Sequence, residues 1–149
     1  MNSQFPTSAT EILKALIAIP SVNPMGRELA GPEYFETAIT EYLIAWFRDL
    51  GIEPVQQEVA PGRVNLLAYR PGKADTETVL FDAHQDTVPV DGMIVEPFAP
   101  LEKAGRLFGR GACDVKGGMA AMLAAFARLV RENPSESRGT IMSCTIDEE

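Results

Sequence analysis

The sequence predicts an α/β fold in which helices cover a sheet. Three observations carry that expectation. Some segments repeat apolar residues every three or four positions. Others are short β-rich runs bounded by Pro-Gly or similar turn residues. The two kinds alternate along the chain, as layered α/β proteins require.

Taken in order, Thr10–Ile19 places Ile12, Leu13, Leu16, Ile17 and Ile19 on a helical spacing. Ser8 or Thr10 can cap its start, and Pro20 ends it. Ser21–Gly26 is loop by its Pro, Asn and Gly content. A longer helix is expected from about Pro32 to Leu50, with Phe35, Ile39, Leu43, Trp46 and Leu50 repeating and Gly51 as its stop. The period then changes. Pro54–Val59 and Val64–Arg70 read as strands around a Pro61-Gly62 turn, and Pro71-Gly72 closes the second. Thr78–His84 reads as a buried central strand whose carboxyl end carries polar groups. Residues 88–100, with three prolines and one glycine, read as loop. Gly117–Arg131 is a helix with Met119, Met122, Leu123, Phe126, Leu129 and Val130 as its buried face. Asn133-Pro134-Ser135 breaks it, and Thr140–Ile146 is a further strand followed directly by Asp147-Glu148-Glu149.

Composition narrows the function classes. At 149 residues and 46% hydrophobic, the chain has the length and apolar content of one globular domain. A net charge of −8, with dispersed basic residues, opposes binding to nucleic acid or an anionic membrane. The N-terminus lacks the pattern of a signal peptide, and no stretch reaches the roughly 18 apolar residues of a membrane span. Two cysteines, Cys113 and Cys144, form no CxxC pair and argue against a disulfide scaffold. A cytoplasmic protein is the resulting expectation.

Three polar clusters fall at strand ends or strand–helix junctions: His84-Gln85-Asp86, Cys113-Asp114 and Asp147-Glu148-Glu149. Sites in open α/β sheets gather outside the carboxyl ends of strands, so these clusters can converge. One imidazole and several carboxylates make a ligand set suited to zinc and similar divalent ions. His84 and Asp86, two apart, share a face in extended backbone, so the Asp86 carboxylate can orient the imidazole. Glycines on both sides of Asp114 suit a crowded backbone. Taken singly, each cluster also fits a plainer role: a hydrogen-bonded surface histidine, a turn with Asp114 as helix N-cap, a solvated acidic run. Other motifs fail. Asp114 stands where a dinucleotide fingerprint needs its third glycine, Lys116 lacks the P-loop context, and there is no HExxH or GxSxG.

His84–Pro89, Gly109–Gly118 and Asp147-Glu148-Glu149 resemble the three N-terminal motifs of the M20 metallopeptidase family, in family order. That family holds deacylases and peptidases of the acetylornithine deacetylase, succinyl-diaminopimelate desuccinylase and carboxypeptidase G2 type. The resemblance spans nearly the whole chain, with intervals of 30 residues from His84 to Asp114 and 34 from Asp114 to Glu148. It implies a helix-covered mixed sheet, the N-terminal part of a zinc-peptidase-like catalytic domain. It also implies two divalent metal ions, zinc foremost and cobalt or manganese as alternatives. By motif position His84 binds one metal, Asp114 bridges both and Glu149 binds the second. Glu148 is the general base and Asp86 orients His84. The implied reaction is hydrolysis of amide bonds in N-acyl amino acids or small peptides, with a lean towards acetylornithine or succinyl-diaminopimelate type substrates.

The family pattern also needs a later acidic ligand, a C-terminal histidine and a lid domain that often dimerises. His84 is the single histidine. Residues 1–149 are therefore expected to be a truncated part of the catalytic domain, inactive alone, whose full-length form is a homodimer. A rival reading is a non-catalytic remnant of the fold acting in interaction or regulation. Another di-zinc aminopeptidase family is disfavoured by the HxDxVP form of the first motif. Cys113 is expected to be a small packed residue rather than a nucleophile, since no histidine remains to activate it.

Overall fold

The computed structural model describes residues 4–74, 76–134 and 138–149. Met1–Ser3, and Ser135 of the expected helix breaker, lie outside these.

The first helix, α1 (Ala9–Ala18), is capped by Ser8, whose Oγ accepts from the Glu11 amide at 3.3 Å. Its other end is held from a distance. The ammonium of buried Lys116 donates to the carbonyls of Leu16 (2.9 Å), which also accepts from the Ile19 amide, and of Ile19 (2.8 Å), at the end of the helix. The second helix, α2 (Thr37–Asp49), starts later than its apolar spacing predicts. Phe35 takes a left-handed φ of 63° and its amide donates to the Val22 carbonyl at 2.9 Å. Tertiary pairing to the 22–34 loop thus removes the first expected turn. Gly51, at φ 79°, supplies the expected stop.

Strands β1 (Val55–Ala60) and β2 (Arg63–Arg70) form a hairpin at Pro61-Gly62, followed by β3 (Thr78–His84). A small hairpin, β4 (Leu101–Lys103) with β5 (Arg106–Phe108), was not anticipated. Three-residue strands are too short to show a period. Its local signal is Ala104-Gly105, where both residues take positive φ as a tight hairpin turn requires. Helix α3 (Lys116–Glu132) and strand β6 (Gly139–Thr145) complete the fold.

The main sheet runs β1-β2-β6-β3. β1/β2 and β2/β6 are antiparallel and β3/β6 is parallel, so the sheet is mixed. One expectation is corrected here. Thr78–His84 is an edge strand among the described residues, and β6 holds the interior position beside it. Thr78, Leu80 and Asp82 face solvent, while β6 is buried along most of its length. The apolar run Val79-Leu80-Phe81 suggested burial on both faces, but only alternate residues of β3 turn inward.

All three helices contribute to one core on one face of the sheet. Leu16, Leu43, Trp46, Leu123 and Phe126 meet Leu66 and Ala68 of β2, Ala83 of β3, and Met142 and Cys144 of β6. On the opposite face the pairings line up Leu80, Ile141 and Tyr69 in a row, and Leu80 and Tyr69 are more than half exposed. Among the described residues no helix is long and apolar enough to cross a membrane.

This division of faces sets a stability contrast. Leu123→Ala should cost about 2–5 kcal/mol through a core cavity. Leu80→Ala on the open face should stay within about 0.5 kcal/mol of wild type. Urea denaturation of both variants reads the difference, and equal losses would contradict the assigned faces.

Candidate metal centre

Three of the site residues singled out in the sequence converge at the carboxyl ends of β3 and β6. His84 ends β3, and in the parallel register it pairs with Thr145, the last residue of β6. Glu148 and Glu149 follow β6 after Ile146 and Asp147. Asp114 arrives in the turn before α3, where the Asp114–Val115 peptide is cis. One ligand atom each from His84, Asp114 and Glu149 lies within 4.8 Å of the others. His84 Nε2 stands 3.3 Å from Asp114 Oδ1 and 3.6 Å from Glu148 Oε2.

The imidazole has one free edge. Its Nδ1 lies 3.0 Å from the backbone carbonyl of Asp86, which leaves Nε2 turned towards the carboxylates of Asp114 and Glu148. The sequence pointed to the Asp86 carboxylate as the partner of this ring. The nearer contact is the Asp86 carbonyl, and the carboxylate stands 3.5 Å from Nδ1. His84 itself is buried, whereas the side chains of Asp114 and Glu148 are 78% and 64% exposed. The cluster therefore sits at the floor of an open surface.

Asp86 is fully buried, and beside its approach to His84 it makes contacts that its spacing did not suggest. Its Oδ1 accepts from the amide of Glu148 at 3.2 Å and its Oδ2 from that of Glu149 at 3.1 Å. The Asn23 amide also donates to Oδ2, at 3.0 Å. Burial pushes this carboxyl up, but the donors from Asn23, Glu148, Glu149 and its own backbone outweigh it, and the group stays below its usual range. Asp86 thus fixes the backbone of the Glu-Glu pair.

The glycines around Asp114 serve close packing. At Gly111, with φ 78°, a Cβ would lie 2.9 Å from Lys116 Cδ and from Thr87 Cγ2. At Gly117 it would lie 2.5 Å from the Ala112 carbonyl oxygen. Asp114 is not the N-cap of α3. That position belongs to Val115, which makes no side-chain cap, so the Asp114 carboxylate is left for the cluster. Cys113 is exposed, contrary to the expected packed position, because the turn before α3 directs it to solvent.

Sequence reasoning missed three contributors. Gln85 is fully buried, donates to the carbonyls of Cys144 (2.9 Å) and Val64 (3.3 Å), and accepts from Thr40 Oγ1 at 2.7 Å. It ties the His84 loop to β2, β6 and α2. Lys116, whose ammonium burial pushes down to about 7, ties the turn bearing Asp114 to α1. Asn23 bridges Asp86 and Asp147. Its place between His84 and Asp86 in a polar cluster was the available signal for Gln85. Asn23, in a loop, had none.

The donor set fits a divalent cation. One neutral imidazole nitrogen and two carboxylates are the ligand types such ions take, and the His84 ring is already oriented through its other nitrogen. Like charge also accumulates there. Burial, and then the neighbouring Asp114 carboxylate, push the Glu149 carboxyl above its usual range against the pull of His84.

Comparison with known proteins adds a family to this geometry. Residues 80–149 match the model of peptidase family M20/M25/M40. Succinyl-diaminopimelate desuccinylase of Buchnera aphidicola subsp. Baizongia pistaciae (strain Bp) is 33% identical over 145 residues, which is 95% of this chain and 35% of that protein. N-formyl-4-amino-5-aminomethyl-2-methylpyrimidine deformylase of Bacillus subtilis (strain 168) is 32% identical over 145 residues, 93% of this chain and 32% of that protein. An M20 family metallo-carboxypeptidase from Sulfolobus solfataricus superposes with a TM-score of 0.75 at 22% identity, over 92% of this chain and 30% of that one. The chain thus spans about a third of the length of the curated relatives it matches.

Asp86→Ala should destabilise the chain by about 1–3 kcal/mol, because the Asn23 amide and two backbone N–H groups lose their acceptor. Chemical denaturation measures this. A variant as stable as wild type would mean that the Glu-Glu backbone is held by something else.

Proposed function

We propose that this chain, whose residues 80–149 match the model of peptidase family M20/M25/M40, is the metal-binding part of an amide hydrolase of that family. The carrying observation is the meeting of a His84 ring nitrogen with the carboxylates of Asp114 and Glu149 within 4.8 Å. In this reading residues 1–149 belong to a catalytic domain, with a lid and further ligands supplied by additional chain. On their own these residues are expected not to turn over, since three side chains shared between two ions leave each short of the usual three protein ligands.

His84 would hold one ion, Glu149 the other, and Asp114 would serve both; zinc is the first choice for this ligand set. When bound, such ions supply Lewis acidity that lowers the pKa of a water and polarises an amide carbonyl. The residues of the chain do the rest. Asp86 and Asn23 fix the backbone from which Glu148 projects. Glu148 Oε2, solvent-facing and 3.6 Å from His84 Nε2, accepts the proton of the attacking water. It then delivers that proton to the leaving nitrogen as the C–N bond breaks, giving a carboxylic acid and an amine, which exchange a proton to become carboxylate and ammonium. Exposure of Asp114 and Glu148 leaves this face open to a small substrate. The names of the two curated relatives, a desuccinylase and a deformylase, support N-acyl compounds as the substrate class.

Metal binding by this chain and hydrolysis by a protein of the relatives' length carrying it are the two measurements. His84→Ala should lower zinc or cobalt affinity by about 10- to 100-fold. Glu148→Ala should keep the metal but lose about 10²- to 10⁴-fold in turnover of N-succinyl or N-acetyl amino acids. If wild-type chain holds no zinc, cobalt or manganese at micromolar supply, a non-catalytic interaction protein becomes the better reading.

A further inference from the structure

Behind the Glu148–Glu149 pair lies a second group of carboxylates. Glu36, Asp86 and Asp147 offer oxygens within 4.8 Å of one another. Hydrogen-bond donors already occupy this group. The Arg63 guanidinium forks onto Glu36, Nε to Oε2 at 2.8 Å and Nη2 to Oε1 at 2.6 Å. The same Nη2 reaches Asp147 Oδ1 at 3.0 Å, and Asn23 Nδ2 joins it there at 3.1 Å. Glu36 is 1% exposed, and the guanidinium lies 4.9 Å above the Phe35 ring centroid, so the fork is fixed on two sides.

What this fork holds is an unusual backbone. Asp147 has a left-handed φ of 63°, a region uncommon for residues other than glycine, of which aspartate is among the more tolerant. Directly after it the chain turns so that the amides of Glu148 and Glu149 meet the two oxygens of Asp86.

We infer that Arg63, locked by Glu36, is a positioning residue that sets the Asp147 turn and thereby aims Glu148 and Glu149 at the metal centre. The inference builds on the roles proposed above for those two glutamates. Arg63 does not touch the metal cluster; it acts only through Asp147. A lysine cannot take its place, because a single ammonium lacks the planar fork that engages Glu36 and Asp147 together.

Two variants separate positioning from plain stability. Asp147→Gly removes the anchoring carboxylate while leaving a residue that adopts positive φ freely. The double variant Arg63→Met with Glu36→Gln removes both charges at once and leaves no buried ion unpaired. In the metal-free chain, amide hydrogen exchange at Glu148 and Glu149 should speed up at least about fivefold in both variants. Exchange along β6 should not change. Asp147→Asn, which keeps the Oδ1 acceptor, should restore slow exchange. Cobalt titration of the same proteins should show affinity about tenfold weaker than wild type and an altered visible spectrum. Unchanged exchange at both glutamates overturns the inference whatever the metal does. Wild-type protein that binds no cobalt, with exchange accelerated as stated, overturns the metal reading and leaves the Arg63 turn standing.

Discussion

His84 and Thr145 face each other across the parallel β3–β6 pair, and the Gln85 amide donates to the Thr145 carbonyl at 2.8 Å just beyond it. This pairing is the constraint on which the rest of the site depends. It ends two strands from distant parts of the sequence at the same level, so that the loop after each opens onto one place. Because side chains alternate with a period of two, a one-residue slip would send His84 to the other face and shift Glu148 and Glu149 away from it. Buried Gln85 resists such a slip by bonding at once to β2, β6 and α2.

The two carboxylate groups at this end of the sheet differ in how their charge is balanced. Glu36, Asp86 and Asp147 are matched by the Arg63 fork and the Asn23 amide, and the result is rigid structure. Around His84 the carboxylates of Asp114 and Glu148 meet only the imidazole among the described ion pairs, and their side chains open to solvent. The first group closes on itself. The second leaves its oxygens open to solvent. Their adjacency has a physical use, since Asp86 belongs to the closed group yet holds the amides of both glutamates that serve the open one.

The helices work from the far side of the sheet. Packing α1, α2 and α3 on one face buries the core and carries α3 to the sheet end, where the turn before it delivers Asp114. Lys116 joins that turn to the end of α1 through two carbonyls. The same arrangement leaves the opposite face and the outer edge of β3 with exposed apolar side chains such as Leu80. A sheet in such a state is prone to pair with or pack against further polypeptide.

The residues alone determined the α/β class and the positions of the principal helices and strands, and they singled out His84, Asp86, Asp114, Glu148 and Glu149, which the fold brings to one end of the sheet. Those features are local. Periodicity, Pro-Gly turns and polar residues at the ends of apolar runs all act over a few positions, so they can be read one segment at a time. Tertiary structure decided the rest. It put β6 rather than β3 inside the sheet, started α2 after Phe35 instead of at Pro32, and turned Cys113 outward. It also gave Asp86 the amides of the Glu-Glu pair, and gave Asp147 to Arg63 and Asn23. Each of these outcomes depends on which distant backbone or side chain arrives as a partner. Strand order and buried polar pairing are set by contacts across the sheet, and no short stretch of sequence contains both halves of such a contact.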